Sequence, residues 1–171
     1  MECKTDEYSG QVKMDEDQYK STYEELNPNR CIFEKAITNR RCDCELKRKF
    51  VLATRECVAC ESESALQQCT QVLDTIRNNA RFSLKVVTVD GPMPHNKELQ
   101  VQAGGMLVLQ NLLSKDEFAP ENQTEQQAIV TNIHQTMQAA LLEYKAIEKL
   151  PFGEIVKGVV SYQSRPKRCK K

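Results

Sequence analysis

Cys31, Cys42, Cys44, Cys57, Cys60 and Cys69 all fall between positions 31 and 69 of a 171-residue chain. They form a C-x-C and a C-x-x-C with one more cysteine on each side. Thiols gathered this densely serve disulfides, a metal or iron–sulfur centre, or redox chemistry. Metal capture needs several sulfurs that converge in space and give up their protons. The set that best satisfies this is Cys31, Cys44, Cys60 and Cys69, with Cys42 and Cys57 as less favoured ligands; Cys57 is the substitute for Cys60. Arg40, Arg41, Lys47, Arg48 and Arg55 lie among these cysteines and are expected to favour their thiolate forms.

The spacing favours an iron–sulfur cluster over zinc. The C-x-x-C is followed by Glu61 rather than by a turn-forming glycine, and no histidine lies nearby. Clusters accept widely spaced thiolates more readily, although the usual ferredoxin spacings are absent. Zinc on four cysteines is the alternative. A Cys57/Cys60 redox pair is a further one, but a thioredoxin-like C-x-x-C sits between a strand and a helix. Buried cysteines also serve as small apolar residues, which would suffice for Cys44 and Cys69 alone. Cys3 and Cys169 lie in the two tails and read as free surface thiols.

Other chemistry is faint. His95 reads as a solvated loop residue and His134 as a packing or interface residue, so no general-base site is assembled. There is no nucleophile elbow, no G-x-G-x-x-G and no Walker lysine.

The elements that must position the cysteines follow from periodicity. Phe33, Ile37, Cys44 and Val51 share one face of a helix expected from Ile32 to Thr54, which turns Cys44 inward and Cys42 to solvent. The preferred quartet requires this helix to start late or to break near Arg40–Cys44, because an unbroken one rises about 1.5 Å per residue and carries Cys31 away from Cys60. Glu56–Glu61 reads as a connector. Ser64 and Gln67 suggest a capping box for a helix to Arg81, with Leu66, Cys69, Val72, Leu73, Ile76 and Ala80 as its apolar stripe. Residues 83–89 and 98–102 suggest a small hairpin, and Gly104-Gly105 precedes a helix from Met106 to Leu113. Thr124 and Gln127 suggest a second capping box for a long helix to Lys149, and Phe152–Val160 a last short one.

The expected fold is mainly α, a helical bundle-like single domain with a small two-stranded β element near residues 83–102. It spans residues 28–163, after an acidic, weakly ordered arm at 1–27 and before a basic tail at 164–171. No run of about eighteen apolar residues is present, so no membrane span is expected. The start, MECKTDEYSG, lacks the apolar stretch of a signal peptide, which predicts a cytoplasmic protein whose thiols stay reduced. Net charge is +0 and aromatic content 6%, with no Trp, so nucleic-acid binding is not expected. The reading is a small cysteine-ligated metalloprotein acting as an electron-transfer or accessory protein rather than an enzyme, with a protein partner or as a homo-oligomer. The alternative is an adaptor subunit whose cysteines, with or without zinc, are structural.

Overall fold

The structure, a computed structural model, describes residues 16–86, 93–114 and 129–163. These are mainly α-helical with one small antiparallel sheet, as expected. In chain order the elements are α1 (Glu16–Leu26), α2 (Glu34–Thr38), β1 (Lys47–Leu52), β2 (Arg55–Cys60), α3 (Glu63–Ala80), α4 (His95–Leu99), a π-helical stretch (Gln100–Gly104), α5 (Gly105–Leu113), α6 (Ile133–Tyr144), a 3-10 turn (Ile147–Lys149) and α7 (Phe152–Ser161).

The sheet is not where the sequence suggested. It lies at Lys47–Cys60, where a helix and a connector were expected; residues 95–102, expected as the second strand, are helical, and residues 87–89 of the expected first strand lie outside the described residues. Two backbone features stop the expected Ile32–Thr54 helix. Helix α2 ends at Thr38, and Arg40 turns the chain at a φ of 55°. The hairpin then reverses at Ala53, whose φ is 54°. Its register runs from Lys47 opposite Cys60 to Leu52 opposite Arg55. Residues 29–31 extend the sheet on the other side of β2: Arg30 bridges Ala59, Cys31 N–H donates to Val58 O at 3.0 Å, and Cys60 N–H donates to Asn29 O at 2.8 Å.

Helix α3 matches its expected span, but its cap is Ser62, whose Oγ accepts from Ala65 N–H, rather than Ser64. Its buried stripe is Ala65, Cys69, Val72, Leu73, Ile76 and Ala80, so Leu66 gives way to Ala65. The expected long helix is confined to α6, capped by Asn132 and ended by Lys145 in the left-handed region. The Thr124–Gln127 capping box, the basic tail, Cys3 and Cys169 lie outside the described residues. Helices α5 and α7 form as expected.

The rod from α4 through the π stretch to α5 runs through the middle of the core. Val101, Ala103 and Met106 are buried there with Ile76 of α3 and with Ile155 and Val159 of α7. Gly104 permits the close crossing with α7: a Cβ there would lie 2.8 Å from Tyr162 Cβ and 3.2 Å from Val159 Cα. Among the described residues no helix is long and apolar enough to cross a membrane.

Candidate metal centre

The break after α2 decides where the thiols go. Cys31 lies beside the end of β2 through the hydrogen bonds of residues 29–31. Cys44 sits in the turn that leads into β1: Lys47 N–H donates to Cys44 O at 3.3 Å, and Glu61 N–H returns to Leu46 O at 2.9 Å. That second bond ties the Cys44 turn to the exit of β2, where Cys60 stands. Two residues later Ser62 caps α3, and Cys69 faces inward from the helix.

Four sulfurs are thereby brought into one neighbourhood. Burial, followed by the charges of Cys31, Cys44 and Cys60, pushes the Cys69 thiol up to about 12. Burial likewise pushes Cys31 up to about 12; the Phe33 N–H opposes the shift, while Cys60, Cys44 and Glu34 add to it. Cys44 is raised by burial, lowered by hydrogen bonds from the Leu46 and His134 N–H groups, and raised again by Cys60 and Glu45. Cys31, Cys44, Cys60 and Cys69 thus lie near enough to feel one another's charge, as Cys42 does with Cys31 and Cys44. Cys31 and Cys69 are buried, and Cys44 and Cys60 are half-buried.

Two features of this group bear on metal chemistry. First, backbone N–H groups point at sulfur: Phe33 at Cys31, and Leu46 and His134 at Cys44. Such donors stabilise a thiolate. Secondly, without a cation the buried thiols keep their protons at neutral pH, and Cys60 donates its own to Ser62 O at 3.2 Å. A bound cation reverses this balance, because a coordinating thiol is deprotonated outright. Among the described residues no group of three or more His, Cys, Asp or Glu is gathered tightly enough to hold a metal ion.

The bases do not play their expected part. Arg55 makes a two-pronged contact with Glu16 at 3.1 and 3.0 Å, Lys47 pairs with Asp43, and Arg48 lies over the Phe50 ring. Arg48 and Arg55 stand on the face opposite Cys60, Lys47 on its face is taken up by Asp43, and the shifts of Cys31, Cys44 and Cys69 trace to burial, other thiols, nearby carboxylates and amide donors.

Cys42 is corrected outright. Expected on a solvent face, it is 3% exposed. The segment is not helical: Cys42 bridges Val130, and its own N–H reaches Ala36 O at 3.3 Å. Burial pushes this thiol up to about 12, with Cys31, Asp43 and Cys44 adding to the shift.

Cys57 goes elsewhere. Three residues before Cys60 on the same strand, it points to the opposite face. There it meets α1: Tyr19 Oη lies 3.6 Å from its Sγ, which also contacts Arg55 O at 3.5 Å. Burial and the contact with Cys57 push the Tyr19 phenol up to about 12. Beside it, buried Tyr23 donates to Glu34 Oε1 at 2.6 Å and accepts from Asn27 Nδ2 at 2.9 Å.

Sequence reasoning missed the part of His134. Its side chain bonds Glu45 at 2.7 Å, while its backbone N–H serves Cys44. Backbone roles leave no mark in residue type, so only the fold reveals it. His95 stands exposed at the start of α4. No protein-family model, no curated protein and no solved structure matches this chain.

Proposed function

We propose that Cys31, Cys44, Cys60 and Cys69 hold a metal centre, and that the protein is an electron-transfer or accessory metalloprotein working with a protein partner in a reducing, cytoplasmic setting. What supports this reading is that four thiols from four separate segments lie within reach of one another's charge, with amide donors at Cys31 and Cys44; a bound metal would draw them closer together. An apolar core has no need of amide donors at its sulfurs.

An iron–sulfur cluster is the favoured occupant, with zinc as the alternative. Four ligands of one zinc ion must all lie about 2.3 Å from it. A cluster spreads its thiolates around a larger body, which suits donors set on a turn, a strand end and a helix. The cluster would supply reversible one-electron chemistry. The chain's own contribution is to bury two ligands, to leave Cys44 and Cys60 nearer the surface, and to direct N–H groups at sulfur, which with burial tunes the potential of such a centre. Zinc on the same sulfurs would instead clamp the hairpin to α3, and the protein would be a structural adaptor.

Protein purified without oxygen is expected to be brown, to absorb near 400 nm and to contain iron and acid-labile sulfide. One zinc and no iron would select the adaptor reading. Full-length protein that takes up neither metal overturns both.

A further inference from the structure

A cavity of about 230 Å³ opens beside Cys31, between α2, α3 and the α4–π rod. Its walls carry three cations, Arg30, Lys35 and Arg77, and two carboxylates, Glu34 and Glu98. Both carboxylates are already satisfied. Glu34 accepts from Tyr23 Oη at 2.6 Å, Arg30 Nε at 2.6 Å and Val58 N–H at 3.1 Å. Glu98 accepts from Arg77 at 2.5 and 3.2 Å and from Gln102 Nε2 at 2.7 Å. Glu34 is matched by Arg30, and Glu98 by Arg77, whose other terminal nitrogen holds Asp74 at 2.6 Å; the cation that the walls leave unpaired among the described residues is Lys35. Among the described residues Lys35 pairs with no carboxylate; Arg30 bonds Glu34 through its Nε and lies 5.0 Å over the Tyr23 ring, which leaves the outer guanidinium edge for another acceptor.

Such walls are costly as structure alone. The Glu98 side chain is 6% exposed and that of Glu34 11%. Buried ion pairs often contribute less stability than apolar residues of the same volume would. The π-helical stretch supplies Gln102, which fixes Glu98 and also donates to Ile32 O at 3.0 Å. π-helical insertions in a helix frequently mark functional sites.

We propose that this cavity binds the oxyanion group, carboxylate or phosphate, of a small ligand. Lys35 and the outer edge of Arg30 donate to the oxyanion, and Arg77, shared between Glu98 and Asp74, holds Glu98 in place. A planar guanidinium edge beside an ammonium suits either oxyanion. Cys31 lines the same cavity, so the ligand would lie beside the segment that carries this thiol. The inference does not depend on a metal being present.

The test is a titration of the full-length protein, as purified, with inorganic phosphate and separately with succinate, followed by amide NMR shifts. Saturable shifts at Arg30, Lys35, Arg77 and Gln102 are expected. Lys35→Ala should weaken binding about tenfold, the equivalent of 1.4 kcal/mol. Lys157→Ala, in an exposed ion pair on α7, should not. Circular dichroism checks that both variants stay folded. Phosphate alone saturating would identify a phosphoryl ligand, and succinate alone a carboxylate. Shifts that fail to saturate for both, or that Lys35→Ala leaves unchanged, overturn the proposal and leave a solvated ion-pair network.

Discussion

The two faces of β2 carry opposite chemistry. On one, Val58 and Cys60 look toward the core, and Cys60 joins Cys31, Cys44 and Cys69. On the other, Cys57 and Ala59 look toward α1, where tyrosines, arginines and carboxylates satisfy one another. Glu16 holds Arg55, Arg55 covers the Tyr19 ring at 4.5 Å, and Tyr23 and Arg30 share Glu34. The comparison teaches that a C-x-x-C is not one unit when it lies on a strand. In a tight turn its sulfurs converge; on a strand, three residues put them on opposite sides.

The largest effect that separates the faces is in metal content. Cys69→Ser should abolish retention of the centre, as should Cys44→Ser, while Cys57→Ser keeps it; elemental analysis of the three proteins decides. Loss of metal from Cys57→Ser as complete as from Cys69→Ser would erase the distinction.

The next effect is in pH dependence. In the metal-free chain, Cys31 and Cys69 are raised to about 12. Unfolding lets such thiols ionise nearer the ordinary value of about 8.5, so the unfolded chain binds fewer protons in this window. Stability of the metal-free protein is therefore full below the ordinary value and falls as pH rises from there toward 12. Denaturant midpoints measured across this range check it. The metal-loaded protein behaves oppositely at the acid end, where protons compete for the sulfurs and metal is released.

Smaller effects belong to the α1 face. Tyr23→Phe removes the donor to Glu34 and the acceptor for Asn27, at a cost of about 1–3 kcal/mol, with metal content unchanged. Ala53→Gly relieves the left-handed turn that both faces share, and should raise stability by about 1 kcal/mol in urea unfolding. The smallest effect is expected from Glu16→Gln. Its partner Arg55 is solvent-exposed, and exposed ion pairs contribute little. Thermal unfolding should not distinguish this variant from the parent.

The helical parts of the molecule were legible because burial there is periodic. Cys69 was placed correctly because Val72, Leu73, Ile76 and Ala80 fix the phase of α3. The helix-break condition placed on the quartet was also legible, since Cys31 and Cys60 cannot meet across an unbroken helix. The hairpin was not. Lys47, Arg48, Lys49 and Leu52 are good helix formers, and the turn uses Ala53 at positive φ where Asn-Gly would have announced it. Pairing with β2 overrides that local preference. The period-2 pattern at Glu98–Gln102 misled for a different reason. Glu98 and Gln102 are buried, hydrogen-bonded to each other one helical turn apart, so their polarity does not mark a solvent face.

The central claim is that four particular sulfurs act together and that Cys57 stands apart. Iron, zinc and acid-labile sulfide analysis with an absorption spectrum, on full-length protein and on Cys57→Ser and Cys69→Ser purified without oxygen, tests it most directly. The prediction is a metal centre with absorption near 400 nm in the parent and in Cys57→Ser, and none in Cys69→Ser. A parent that binds no metal, or a Cys69→Ser protein that keeps its full complement, would contradict it.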